Sequence, residues 1–308
     1  MRGGPTSPYW AAQHKPFNFY ILGPLTKCYS LPRLLCIGPL TDHSIEGDKS
    51  MKIITIGNNK GGVGKTMQCY QLVCHLANLG HRVLAIDLDS QANLSSTLGV
   101  NIQRTLIPEW LIGDVKVDEI LCDAVGEYDF YKNIKLIASS RHMANLAKLL
   151  ILSESEVRKN AGRKERLMKI RLKEVEDQFD YVVIDTPPML GDELIMSLVA
   201  SNLILIPTQA QDYSIDGLEE LMDTFEIIKE TENPILEFTI IPSMVNPRRK
   251  IERQRLEELS QSFNVTPMIR NLVDMQESVA LKKPVFMFQK NSKGKQDYLA
   301  LWDSLGLN

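Results

Sequence analysis

Two lysines bracket three glycines in the run Lys60-Gly61-Gly62-Val63-Gly64-Lys65-Thr66. Glycines let a backbone close on a ligand without Cβ clashes, so successive N–H groups can face one anion. An apolar run at residues 53–56 precedes the loop, and a helical pattern at 67–79 follows it. Strand, glycine loop and helix in that order make a phosphate cradle, with the positive helix end aimed at the same charge. Lys65 would neutralise the β- and γ-phosphates, and Thr66 would put its hydroxyl on Mg²⁺. The common form of this loop has glycine where Asn59 stands, so that form is not met. The tighter form K-G-G-x-G-K-[ST] is met in full.

Carboxylates stand at two further strand ends. Asp87 and Asp89 follow the apolar residues 83–86 and could face a bound metal and a water. On residue type alone, an acidic turn capping the next helix explains them better. Asp185 follows the apolar residues 181–184 and opens Thr186-Pro187-Pro188. An aspartate closing a buried strand is the arrangement that holds Mg²⁺ beside a phosphate. A plain turn before proline is the other explanation. Asn246 follows the run 241–245. Its amide offers one donor group and one acceptor, which suits the edge of a base, or equally a turn before Pro247.

The elements that must position these groups follow from the apolar pattern. Runs at 53–56, 83–86, 181–184, 203–206 and 238–241 are short, rich in Ile and Val, and apolar on both faces. Buried parallel strands read this way. Helical stretches at 67–79, 215–229 and 250–263 alternate with them. The expected fold is α/β: a doubly wound, mostly parallel sheet with helices on both faces and ligands at the carboxyl ends of the strands. Residues 51–308 are expected to form one domain. Residues 1–50 carry six prolines and no sustained period. They are expected to be a disordered, dispensable leader, with Met51 as the working start.

The chain has 308 residues, a hydrophobic content of 44% and a formal net charge of −3. That excludes a globally basic protein, so any nucleic-acid contact must come from a local patch. Five scattered cysteines include no CxxC pair, which argues against a zinc or iron–sulfur site and suits a reducing cytoplasm. No apolar run reaches membrane-spanning length. Eight basic residues lie within 158–173, and a solvated helix accounts for them. A second group comprises Arg248, Arg249, Lys250 and Arg253, with Arg270, Lys282, Lys283 and Lys290 further on. The C-terminal residues 301–308 hold no lysine or arginine, so packing on the domain is expected there rather than a membrane anchor.

The loop with its extra lysine resembles the ParA/MinD family of deviant Walker-A ATPases, and the ParA partition branch most. The resemblance spans residues 51–308. It implies an ATPase that uses ATP and Mg²⁺, weak alone and stimulated by a partner. It also implies a homodimer formed with ATP, in which Lys60 reaches the other subunit's nucleotide. Residues 60–67, including Met67, would bind the nucleotide, with Asn246, Pro267 and Met268 at the base. Thr66, Asp87 and Asp185 would serve the metal, and Asp89 would orient the attacking water. Non-specific DNA would bind the second basic group, a ParB-like centromere-binding protein would stimulate hydrolysis, and the protein would be cytoplasmic and nucleoid-associated when ATP-bound. A MinD-like membrane-associated positioning ATPase is the alternative. The sequence departs from the family at Ser90 (usually proline), Ala92 (usually glycine), Met67 (usually Thr or Ser) and Asp274 (near an arginine of chromosomal relatives). Met67 leaves only a backbone N–H for the α-phosphate.

Overall fold

The computed structural model describes residues 50–209, 215–289 and 291–308. The leader expected at 1–50 lies outside them except for Ser50, as does Lys290. Seven strands form one sheet: β1 (Lys52–Ile56), β2 (Val83–Asp87), β3 (Leu121–Asp123), β4 (Ile134–Ile137), β5 (Tyr181–Asp185), β6 (Leu203–Gln209) and β7 (Glu237–Ser243). Their order is β3-β4-β2-β5-β1-β6-β7. All neighbours run parallel except β3 and β4, which are antiparallel. The five expected strands are the parallel centre and one side of this sheet, and β3 and β4 are additions at the other side.

Alternation along the strands builds the two faces. Val83 and Ala85 pack with the Lys65–Asn78 helix and the Lys293–Ser304 helix in one cluster. Leu84 and Ile86 pack with Trp110, Met168 and Met196 in another. Successive side chains of a strand point to opposite faces, so buried residues in unbroken series require cover on both sides. The sheet is therefore a doubly wound α/β sheet, as the apolar runs imply.

The basic stretch at 158–173 is not one helix. It breaks at Gly162, whose φ is +71°, between a helix Glu154–Ala161 and a second helix Leu167–Leu172. Its charges are largely paired within the fold. Arg163 and Arg166 meet Glu232, Lys164 meets Asp192, and Arg171 meets Glu174.

The C-terminal helix packs inward, as expected. Tyr298, Leu301 and Trp302 are buried. The His75 ring, on the helix that follows the glycine loop, stacks on Trp302 at 3.7 Å, and its Nε2 lies 2.8 Å from the Leu307 carbonyl oxygen. Among the described residues no helix is long and apolar enough to cross a membrane.

Candidate nucleotide site

The glycine loop joins β1 to the Lys65–Asn78 helix at the carboxyl edge of the sheet. Gly62 and Gly64 have φ of +76° and +92°, the left-handed region that residues with a Cβ avoid. No side chain caps the helix start, and its first turn holds no acidic residue. The first N–H groups of a helix lack intrahelical partners, so here they are left for a ligand at the loop. Lys65 is almost fully buried and donates from Nζ to the Lys60 carbonyl at 2.7 Å. Burial pulls its pKa down, while Asp185 and Asp89 work against that by favouring the charged form. Lys60 itself is exposed at the rim. Val63 is buried beneath the loop, and Thr66 and Met67 are half-buried and line the cleft.

Asp87 and Asp185 pair in register across β2 and β5, and Ile56 pairs with Asp185 across β1 and β5. Both carboxylates thus stand at the strand ends beside the loop, fully buried. Asp87 is well supplied with donors. Its Oδ2 accepts from the Ser95 N–H and hydroxyl, both at 2.8 Å, and its Oδ1 accepts from the Asp89 N–H at 3.1 Å. Asp185 is not: neither oxygen accepts a well-formed hydrogen bond, and only the Thr66 hydroxyl and the Cys69 thiol stand beside it. Burial pushes the Asp185 carboxyl well above its usual range, and Asp87 pushes it further. Burial also raises Asp87, with its bonds from Ser95 acting in the other direction.

An orphaned buried carboxylate is costly unless something shares its charge. A divalent cation does so, and Asp185 and Thr66 fit one. Among the described residues no three His, Cys, Asp or Glu side chains converge into a metal cage. Magnesium suits such a donor set, because it keeps several waters and takes phosphate oxygens with only one or two protein ligands. Asp89 is half-buried on the cleft wall, with Oδ1 accepting from the Gln91 N–H at 2.9 Å.

The cleft over the loop has a volume of about 510 Å³, the scale of a small-molecule site. Its floor includes residues 61, 62 and 64–68, with Asp89 and Pro188 at one side. The far wall is Ser243, Met244 and residues 269–272. Asn246, Pro267 and Met268 are not among the lining residues. Asn246 is occupied in a turn: its Oδ1 accepts from the Arg248 N–H at 3.2 Å, and its own N–H donates to Glu252 at 2.7 Å. The wall comes instead from residues one to four positions away, because Met244 has φ of +54° and Ile269 to Asn271 run beside β7, bonded to Pro242 and Val245. Neither segment carries a motif, so spacing alone does not reveal them. Ser95, which anchors Asp87, is equally silent in the sequence.

The second basic group is split. Arg248, Arg249 and Lys250 are exposed at the start of the Lys250–Ser262 helix. Arg249 pairs with the buried Glu252 at 3.3 Å, and Arg253 donates to the Pro247 carbonyl. Lys282 is exposed, and Lys283 Nζ lies 5.5 Å from the Phe288 ring centre. Arg270 stands apart: it grips Asp297 with Nε and Nη2 at 2.6–3.0 Å and lines the cleft.

Fold and site together define a P-loop nucleotide-binding protein with a second lysine in the loop. The chain matches the AAA domain family over residues 51–238. It is 31% identical to the chromosome partitioning protein ParA of Myxococcus xanthus, over 81% of this chain and 86% of that one. A plasmid partition protein of Borrelia burgdorferi, solved with AMPPNP bound, superposes with a TM-score of 0.66 at 25% identity, covering 82% of this chain and 98% of that one. Cobyrinic acid a,c-diamide synthase of Mycobacterium smegmatis, with an ATP analogue and magnesium bound, gives 0.65 at 25%, covering 80% and 91%. The chain belongs to the ParA-type family of partition ATPases.

Proposed function

We propose that this chain is a partition ATPase that couples ATP binding to dimerisation and to non-specific DNA binding. The observation that carries the reading is the orphaned Asp185 carboxylate beside a loop holding both Lys60 and Lys65. In this reading residues 60–67 cradle the phosphates of ATP, and Lys65 leaves the Lys60 carbonyl to meet the β- and γ-phosphates. Thr66 and Asp185 hold magnesium, with Asp87 behind them keeping the Asp89 N–H in place. Magnesium there supplies charge neutralisation on the phosphoryl oxygens. Asp89 orients the attacking water from the cleft wall, and Pro188 closes the loop side. Lys60, exposed at the rim, reaches the nucleotide of a second copy and offsets charge on the transferring phosphoryl group.

The dimer then places two sets of Arg248, Lys250 and Lys282 on DNA, and a ParB-like partner accelerates hydrolysis and release. Residues 51–308 act as the ATPase domain, and residues 1–50 are dispensable for it. The inward packing of Tyr298, Leu301 and Trp302 supports this branch over membrane positioning, since that apolar side is already covered.

The test is DNA binding by the full chain with ATP, with ADP, and with Lys60→Ala plus ATP. The reading expects tight binding in the first case only, with the variant still binding nucleotide as a monomer. Equal DNA binding in all three cases overturns it.

A further inference from the structure

Gln209 ends β6, and its side-chain amide has both donors engaged. Nε2 donates to the Gly62 carbonyl at 2.7 Å and lies 3.1 Å from the Met244 sulfur. The first contact reaches the middle of the glycine loop. The second reaches the far wall of the cleft, where Met244 holds its left-handed backbone. A parallel tie lies one turn earlier in the loop. Asn58 is buried, donates to the Pro207 carbonyl of β6 at 2.8 Å, and accepts from the Lys60 N–H at 3.0 Å. β6 therefore holds the loop at two points.

We propose that Gln209 is a positioning residue for the phosphate cradle, working through the Gly62 carbonyl. A trans peptide fixes its carbonyl and the following N–H on opposite sides. Anchoring the Gly62 oxygen on Gln209 therefore holds the Val63 N–H towards the opposite side, the side this proposal gives to a phosphate. Gly62 needs such an anchor because its left-handed backbone meets nothing within 4 Å of where a Cβ would be. Glycine alone would leave that peptide free to rotate. Through Met244 the same amide fixes the distance between the cradle and the far wall.

This inference rests on the reading of the cleft as an ATP site, and the experiment separates the two. Gln209→Met keeps length and apolar contact but removes both donors. Gln209→Glu sets a carboxylate against the Gly62 oxygen. Affinities of the full chain for ATP, ADP and adenosine are measured by calorimetry, with kcat and KM for hydrolysis. Wild type that does not bind ATP refutes the ATP reading itself. If wild type binds, Gln209→Met is expected to weaken ATP and ADP about fivefold, as for one lost hydrogen bond, with Gln209→Glu weaker still. Adenosine affinity and the nucleotide-free unfolding midpoint stay unchanged, and KM rises while kcat stays within about twofold. Unchanged ATP affinity in Gln209→Met overturns the proposal. So does equal weakening of ATP and adenosine, which is what a general loss of structure would produce.

Discussion

Asp87 and Asp185 stand opposite one another at the carboxyl ends of adjacent parallel strands, both fully buried, yet only Asp87 is supplied with hydrogen-bond donors. The pair is a charge problem for the protein without its cation. Burial raises both carboxyls; the charge of Asp87 raises Asp185 further, and that of Asp89 raises Asp87.

The pH dependence follows. The folded chain holds these protons more tightly than the unfolded chain does. Without magnesium, stability from this pair is therefore fully present below the ordinary carboxylate pKa and is lost as pH rises through the elevated folded values. Asp185→Asn removes the buried charge. At neutral pH without magnesium it should raise the unfolding midpoint by several degrees, ~1–2 kcal/mol, and flatten the fall with pH. The same variant should lose the stabilisation that magnesium and ATP give the wild type. Thermal melts across pH decide this, and a variant less stable than wild type without magnesium contradicts it.

Ala92 has φ of +55° and ψ of +35° at the start of the short Asn93–Thr97 helix. This is the position at which family members usually carry glycine. A Cβ in the left-handed region costs ~1–2 kcal/mol, and the extra freedom of unfolded glycine returns about half of that. Ala92→Gly should therefore stabilise the chain by ~0.5–1 kcal/mol, read as a higher midpoint in nucleotide-free melts. A lower midpoint would show that the turn after Asp89 is relaxed as it stands.

Much of the centre of the fold was legible because its strands are apolar on both faces, which only a covered parallel sheet explains. The edge was not. β3 is three residues long, Leu121-Cys122-Asp123, and β4 carries Lys135, which pairs with Asp123 across the two strands. The edge strand β3 is too short and too exposed to carry a pattern, and Lys135 interrupts the apolar run of β4 beside it. The loop side of the cleft was legible for a similar reason: glycines and lysines at fixed spacing mark the loop that lines it. The far wall was not, because Met244 and residues 269–272 reach the cleft through backbone turns whose side chains carry no obligatory chemistry. Asn246 attracts attention by type, while its oxygen serves the Arg248 N–H.

Met67 lines the cleft one residue beyond Thr66, the residue proposed for magnesium, and offers no hydroxyl. Met67→Thr should add one hydrogen bond to a charged phosphate oxygen and tighten ATP about fivefold or more. Its effect on adenosine should be negligible. Calorimetric titration checks both, and equal ATP affinity in the two proteins would mean the backbone N–H already suffices.

Arg270 differs from the other basic residues named for DNA. Its guanidinium is committed to Asp297, which is itself buried on the C-terminal helix. Removing it leaves a carboxylate without its partner in a poorly solvated place. Arg270→Ala should therefore cost ~3 kcal/mol and lower the unfolding midpoint by roughly 6–10 °C, whether or not DNA is present. Arg248 and Lys250 are exposed at a helix start, and among the described residues no carboxylate closes on them in the way Asp297 closes on Arg270. The double variant Arg248→Ala/Lys250→Ala should leave the midpoint within about 1 °C and ATP affinity unchanged. If both side chains meet phosphates in each subunit of the dimer, its DNA affinity falls, and the slope of log affinity against log salt shrinks by about 3.6, roughly 0.9 for each of four lost contacts. Melts, ATP titrations and DNA titrations at several salt concentrations separate the two effects. An unchanged salt slope would move the DNA face away from this end of the Lys250–Ser262 helix.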